Sequence, residues 1–142
     1  MIVADTGAIL ALLDADDIHH AALRALFERA PRAWRLPWAI LPEVDYLAAK
    51  NLGGGVAERF LDDIASGAFA VEWGEPADLE RARALHRRYR SLHFGLVDAV
   101  VMAVAERRRA SAIATLDLRH FGAVKLRGNP KLVPRDLETR SI

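Results

Sequence analysis

Short β-like runs of four or five residues alternate along this chain with longer stretches of helical periodicity, and that alternation narrows the possible folds more than any other feature. Strands separated by helices do not pair as hairpins. They lie parallel, each helix acting as a crossover that covers a face of the sheet. The expected class is therefore α/β, with a central, mainly parallel sheet. The 142 residues fit one domain, 1–142, and a hydrophobic content of 52% supplies a sizeable core.

Residues 1–4 read as the first strand, followed by a helix from about Thr6-Gly7. Asp14 to Asp17 form a polar break, and Asp17 is placed to cap a second helix over 18–30. Residues 33–37 make the second strand. Pro42, tolerated in a first helical turn, opens a helix from Leu41 to Asn51 that Gly53-Gly54-Gly55 ends. A helix over 56–66, a third strand over 69–72 and a helix over 76–90 follow. Leu96 to Arg109 is helical and apolar on almost every side as far as Glu106, the pattern of a central buried helix. Ala112 to Thr115 make a fourth strand, a short turn or helix covers 117–121, and a last edge strand falls at 123–126 or 131–133.

Cysteine is absent, which excludes disulfides, thiolate zinc sites and a cysteine nucleophile and is compatible with a reducing cytoplasm. The opening Met1-Ile2-Val3-Ala4-Asp5 reads as a strand rather than a signal peptide, and the longest wholly apolar run, Ala99 to Ala105, is far short of the roughly 20 residues that span a bilayer. These features point to the cytoplasm and away from membranes. The net charge of +1 conceals an asymmetry: residues 1–80 carry 6 Lys/Arg against 14 Asp/Glu, and residues 81–142 carry 14 against 5. Arg suits bidentate phosphate contacts, and Arg87, Arg88, Arg119 and Arg127 are the candidates. Solvated helix faces decorated with Arg would give the same asymmetry, so charge alone leaves both readings open.

Four carboxylates stand where a fold rarely wants them. Asp5 ends the first strand and Asp117 follows the fourth, and in an open parallel sheet the carboxyl ends of strands are where ligands bind. Glu43 falls in the first turn of the helix after strand two. Asp98 opens the most apolar helix, where a lone buried carboxylate is costly unless it meets a cation or hydrogen-bond donors. Converged on one pocket, these oxygens suit Mg²⁺ or Mn²⁺ rather than zinc, and such ions align a phosphodiester and activate water. Each acid alone has a plainer use, because acids in first turns complement the helix dipole and Asp5 and Asp117 are placed to cap helices. It is the conjunction at one edge of one sheet that argues for chemistry.

At these residues the sequence resembles the VapC-type PIN-domain toxins. Asp5-Thr6-Gly7 after an apolar strand, Leu41-Pro42-Glu43-Val44, Leu96-Val97-Asp98-Ala99, and Thr115-Leu116-Asp117 with Phe121 are similar to the family's four acidic motifs, in order and with family-like spacing. Gly7 stands where a Ser is common. The resemblance implies a three-layer α/β/α PIN-like fold, RNA cleavage that depends on Mg²⁺ or Mn²⁺, a homodimer and a cognate antitoxin. Asp5, Glu43, Asp98 and Asp117 would form the catalytic metal site, with Thr6 or Thr115 adding a hydroxyl that orients water or phosphate.

Other features have structural explanations. Asp14, Asp16, Asp17, His19 and His20 mimic a metal cluster but lie in an interhelical break. Asp62-Asp63 and Asp78-Glu80 read as solvated charge. Gly53-Gly54-Gly55 lacks the Lys-Ser/Thr of a phosphate loop, and no serine has a G-x-S-x-G context. Trp34, Trp38 and Trp73 are expected in the core, with base stacking open to Trp38. Arg119 and His120, next to Asp117, are the nearest candidates for phosphate. Leu10, Leu13, Leu23, Leu26 and Phe27 either belong to the core or hold a partner's tail that delivers a basic side chain to the acids. Two rival functions are a non-catalytic RNA-binding scaffold and an acidic-pocket phosphatase or phosphoacceptor domain. The second fits poorly: a haloacid-type phosphatase wants an Asp where Gly7 stands, and Asp98 falls inside a helix.

Overall fold

The computed structural model describes residues 1–140. Strands β1 (Ile2–Ala4), β2 (Trp34–Pro37), β3 (Val71–Glu72), β4 (Ala112–Ala114) and β5 (Lys131–Val133) form one sheet in the order β3-β2-β1-β4-β5. Every pairing is parallel, with Val3 opposite both Arg35 and Ile113, Leu36 opposite Val71, and Ile113 opposite Leu132. The connecting helices are α1 (Thr6–Leu13), α2 (His20–Arg29), α3 (Leu41–Leu52), α4 (Gly54–Ala65), α5 (Pro76–Arg88), α6 (Leu96–Arg107) and the single turn α7 (Leu118–Phe121). This is the expected α/β/α architecture, with the sheet parallel throughout.

The strand order reverses at the centre. From β1 the chain moves outward through β2 and β3, then returns to lay β4 against the other side of β1 and β5 beyond it. Crossovers leaving β1 and β4 in opposite directions part the loops above their carboxyl ends, which opens a crevice there.

The central strands are buried on both faces, and their residues are accordingly apolar without alternation: Val3 and Ala4 in β1, Ala112, Ile113 and Ala114 in β4. Helix α6 contributes Ala99 and the run Val101 to Ala105 to the core, as its unbroken apolarity required. A second aromatic pole joins α2, β2, α4 and the approach to β3. Phe27 meets Trp34 at 5.4 Å and Phe69 at 5.2 Å, and Phe60 meets Phe69 at 5.9 Å between ring centroids.

Several expectations need correction. Asp17 does not cap α2. Its carboxylate accepts the His19 amide at 2.8 Å and its carbonyl the His20 amide at 3.0 Å, closing a turn before a helix that starts at His20. Gly53 alone ends α3, at φ +100°, and Gly54 and Gly55 already belong to α4. The edge strand is 131–133 and not 123–126. Trp34 is core, but Trp38 and Trp73 are 51% and 69% exposed.

Asp78 is also not solvated. It is buried, completes a capping box with Glu75 at the start of α5, and receives Arg107 Nε at 2.7 Å. Arg107 also reaches Glu72 at 2.8 Å and Glu75 at 3.4 Å, so one guanidinium in the last turn of α6 ties together the end of β3 and the start of α5. No helix among the described residues is long and apolar enough to cross a membrane.

Candidate active site

Asp5 and Thr115 face each other across the β1–β4 reversal. The Asp5 amide donates to the Ala114 carbonyl at 3.0 Å, which extends the ladder one residue beyond β1 and holds the carboxylate at the strand's end. One oxygen, Oδ1, caps α1 by accepting the Ala8 amide at 3.1 Å. The other, Oδ2, accepts the hydroxyl of the fully buried Thr115 at 2.5 Å. Thr115 Oγ1 in turn accepts the Asp117 amide at 3.0 Å, so a single threonine sets the positions of two acids.

Asp117 caps α7, its Oδ1 accepting the His120 amide at 3.0 Å, while its Oδ2 lies 2.9 Å from His120 Nδ1. Asp98, in the first turn of α6, brings its Oδ2 to 3.3 Å from the same nitrogen. Glu43 stands exposed in the first turn of α3, close enough for its charge to act on Asp98. Capping thus leaves the second oxygen of each acid for other partners: Asp5 Oδ2 takes the Thr115 hydroxyl and Asp117 Oδ2 lies against His120.

The electrostatics show how crowded these charges are. Burial pushes the Asp5 carboxyl up to about 6, with Asp98 and Asp117 adding to the rise and the Thr115 and Ala8 hydrogen bonds opposing it. Asp98 is also raised, first by burial and then by Asp117. His120 opposes the shift and Glu43 adds to it. A cation among the acids would reverse both shifts. The donor set fits a divalent metal: carboxylate oxygens of Asp98 and Asp117 and a ring nitrogen of His120 lie within 4.8 Å of one another, with the Asp5 carboxylate alongside. Oxygen-rich sites of this kind take Mg²⁺ or Mn²⁺.

The remaining candidates divide clearly. Thr6 begins α1 beside Asp5, and its buried Oγ1 has no partner among the described residues, a hydroxyl left unused at the site. Arg119 is exposed on α7 between Asp117 and His120. Arg87 and Arg88 are exposed at the end of α5, whose His86 meets Phe94 at 6.0 Å, and Phe94 in turn meets His120 at 5.9 Å. Arg127 is not brought to the acids. Its amide donates at 2.8 Å to Glu106, in the last turn of α6, and its charge acts on Glu106 there. Asp98 lies eight residues away in the first turn, about 12 Å along the helix.

His120, a candidate for phosphate in the sequence, lies among the carboxylates of Asp98 and Asp117. Its position three residues after Asp117 on a helical turn was the available signal. The Asp14–His20 segment serves structure: Asp14 Oδ1 accepts the Asp16 amide at 3.0 Å, and His20 Nδ1 lies 3.0 Å from the Ala11 carbonyl oxygen.

A parallel sheet with an acidic, metal-suited centre at its strand reversal defines an α/β protein equipped for cation-assisted chemistry. The chain belongs to the PIN-domain family, whose profile matches residues 2–125. It is 32% identical over 124 residues to Ribonuclease VapC26 of Mycobacterium tuberculosis, covering 87% of this chain and 92% of that protein. Among solved structures it is similar to M. tuberculosis VapC20, a sarcin-ricin loop cleaving toxin, with a TM-score of 0.78 and 22% identity over 90% of this chain and 98% of the other. It is also similar to the DNA-bound VapBC of Salmonella typhimurium, with a TM-score of 0.68 and 18% identity over 92% and 95% of the two chains.

Proposed function

We propose that the protein is a divalent-metal-dependent endoribonuclease, the toxin half of a toxin–antitoxin pair, which hydrolyses phosphodiester bonds in structured RNA such as tRNA or rRNA. The observation that carries this reading is the crowding of Asp98 and Asp117 beside His120. The charges of these two acids help push the buried Asp5 carboxyl up to about 6, with Glu43 also acting on Asp98. The PIN-family match and the relative named as a ribonuclease support it.

Asp5, Asp98 and Asp117 would hold the ion, and Mg²⁺ or Mn²⁺ supplies Lewis acidity and an activated water when bound. Thr115 locks the Asp5 carboxylate through its hydroxyl and fixes Asp117 through the backbone, so both acids are oriented before any ion arrives. Glu43, exposed in the first turn of α3, would orient water, and the buried Thr6 hydroxyl, which has no partner among the described residues, would take a bound water. Arg119, exposed on α7 between Asp117 and His120, and Arg87 and Arg88, exposed at the end of α5, would hold the RNA backbone. An acid-pocket phosphatase remains disfavoured by Gly7 and by the helical position of Asp98, and a non-catalytic scaffold by the presence of all four acids.

The partner reading is an antitoxin, supported by structural neighbours that are toxin–antitoxin complexes. Leu23 is core, but Leu13 and Phe27 line a groove of about 490 Å³ with Leu12, Val56 and Phe69. That groove would hold an apolar tail segment while a basic side chain of the tail meets the acids.

A homodimer is proposed through a second groove, where Trp38, Trp73, Leu79 and Leu96 stand 51–69% exposed around a cavity of about 390 Å³. Four such side chains expose on the order of a few hundred Å², a substantial part of the roughly 800 Å² each partner contributes to a stable interface. Sedimentation of Leu79→Glu as a dimer would remove this surface from consideration. Acting on RNA of this kind, the protein would work in the cytoplasm. The function is tested by mapping RNA cleavage sites after induced expression, with Asp5→Ala as the control: discrete cuts that vanish in the variant support it, and identical patterns contradict it.

A further inference from the structure

We infer that His120 is a ligand of the catalytic ion through Nδ1, making this a mixed carboxylate–imidazole site that selects Mn²⁺ over Mg²⁺. This rests on the metal-dependent reading above and adds to it a nitrogen donor and a metal preference.

The argument begins with distances. Neighbouring ligand atoms around an octahedral ion with bonds of about 2.1 Å are separated by about 3 Å. His120 Nδ1 lies 2.9 Å from Asp117 Oδ2 and 3.3 Å from Asp98 Oδ2, hydrogen-bonding distances in the ion-free protein that equal the separations of neighbouring ligands once an ion sits between them. Two of the three atoms belong to one turn, the Asp117 cap of α7 and His120 three residues on, while the third comes from the first turn of α6, 22 residues earlier than His120, and all lie within 4.8 Å of one another.

The imidazole is held where it is. Its ring packs against Phe94 at 5.9 Å, its backbone amide is bound by Asp117 Oδ1, and its side chain is only 20% exposed. A ring fixed in this way cannot leave the carboxylates without losing the Phe94 contact. Coordination through Nδ1 requires the neutral tautomer with its proton on Nε2.

Metal choice follows from donor type. Mg²⁺ is a hard ion that prefers oxygen and water, and a nitrogen donor gives it little. Mn²⁺ accepts carboxylate oxygen equally well and, as a first-row transition ion, gains more from a nitrogen donor than Mg²⁺ does, though less than the later ions of that series. Replacing one oxygen position with imidazole therefore favours Mn²⁺.

The test is pulsed electron paramagnetic resonance of Mn²⁺ bound to the protein, which detects coupling to a coordinated ¹⁴N nucleus independently of RNA cleavage. Wild-type protein and a His86→Ala control should both show imidazole ¹⁴N modulation, and His120→Ala should lose it. In binding titrations His120→Ala should weaken Mn²⁺ about tenfold or more and change Mg²⁺ less than twofold. Wild-type protein that binds Mn²⁺ without nitrogen coupling would overturn the assignment of His120 and leave the metal site standing. Equal losses of Mn²⁺ and Mg²⁺ affinity would overturn the selectivity. Wild-type protein that binds neither ion would overturn this inference together with the metal-dependent reading.

Discussion

The Thr115 hydroxyl donates to the Asp5 carboxylate across the two strands at which the sheet reverses, and the same oxygen accepts the Asp117 amide. Thr115→Val keeps the shape and removes both bonds. It should cost about 1–2 kcal/mol of stability, read from the urea midpoint, because a buried carboxylate oxygen and an amide lose their partner. The bond also lowers the Asp5 pKa, so its loss should move the acid limb of the activity profile to higher pH. Cleavage at pH 7 should fall about tenfold, with Thr115→Ser close to wild type. A Val variant with an unmoved profile would mean that Thr115 does not act through Asp5.

The raised Asp5 pKa predicts how the metal-free protein responds to pH. The folded carboxyl titrates near 6 against 3.8 when unfolded, so the folded state binds the proton more tightly. The associated stability is complete below about 4 and is lost as pH rises through about 6, a total of about 3 kcal/mol. In EDTA, the unfolding free energy should fall over that window. Asp5→Asn should flatten the dependence, and a saturating divalent ion should restore stability at pH 7. A flat profile in the wild-type protein would contradict the electrostatic description.

Arg107 carries a purely structural burden. It binds the buried Asp78 as well as Glu72 and Glu75. Arg107→Met should cost about 3–5 kcal/mol by leaving Asp78 buried and unpaired. Adding Asp78→Asn should recover part of that loss, and chemical denaturation of the two variants checks it.

The arginines separate by location. Reversing or removing charge at Arg87, Arg88 and Arg119 should weaken RNA binding and reduce the slope of log K against log salt, whereas Arg127→Ala should leave that slope unchanged. Equal effects from all four would mean that RNA covers both ends of α6.

The first four strands, and the positions of the four acids at strand ends or in first turns, were legible because each follows from local rules, whereas the edge strand was left between 123–126 and 131–133 and lies at the second. Burial of α6 was legible for the same reason, in its unbroken apolarity. What escaped depends on partners distant in sequence. Asp78 looks like an exposed helix residue until Arg107, 29 positions later, is folded against it. Trp38 and Trp73 look like core because aromatic residues usually are, and only the packed fold shows them outside. Arg127 shares the basic character of its neighbours, but the chain delivers it to Glu106 instead of to the acids. His120 was noticed for its place beside Asp117, whereas its contact with Asp98, 22 residues earlier, required the tertiary structure.

The most direct test is cleavage of a structured RNA by purified protein under three conditions: with Mn²⁺ or Mg²⁺, with excess EDTA, and with the ion restored. Asp98→Asn and the exposed Asp62→Asn are run beside the wild type. The account predicts cleavage that stops in EDTA and returns with the ion, near-complete loss in Asp98→Asn with its fold retained, and no change in Asp62→Asn. Wild-type rates in excess EDTA, or in Asp98→Asn, would contradict it.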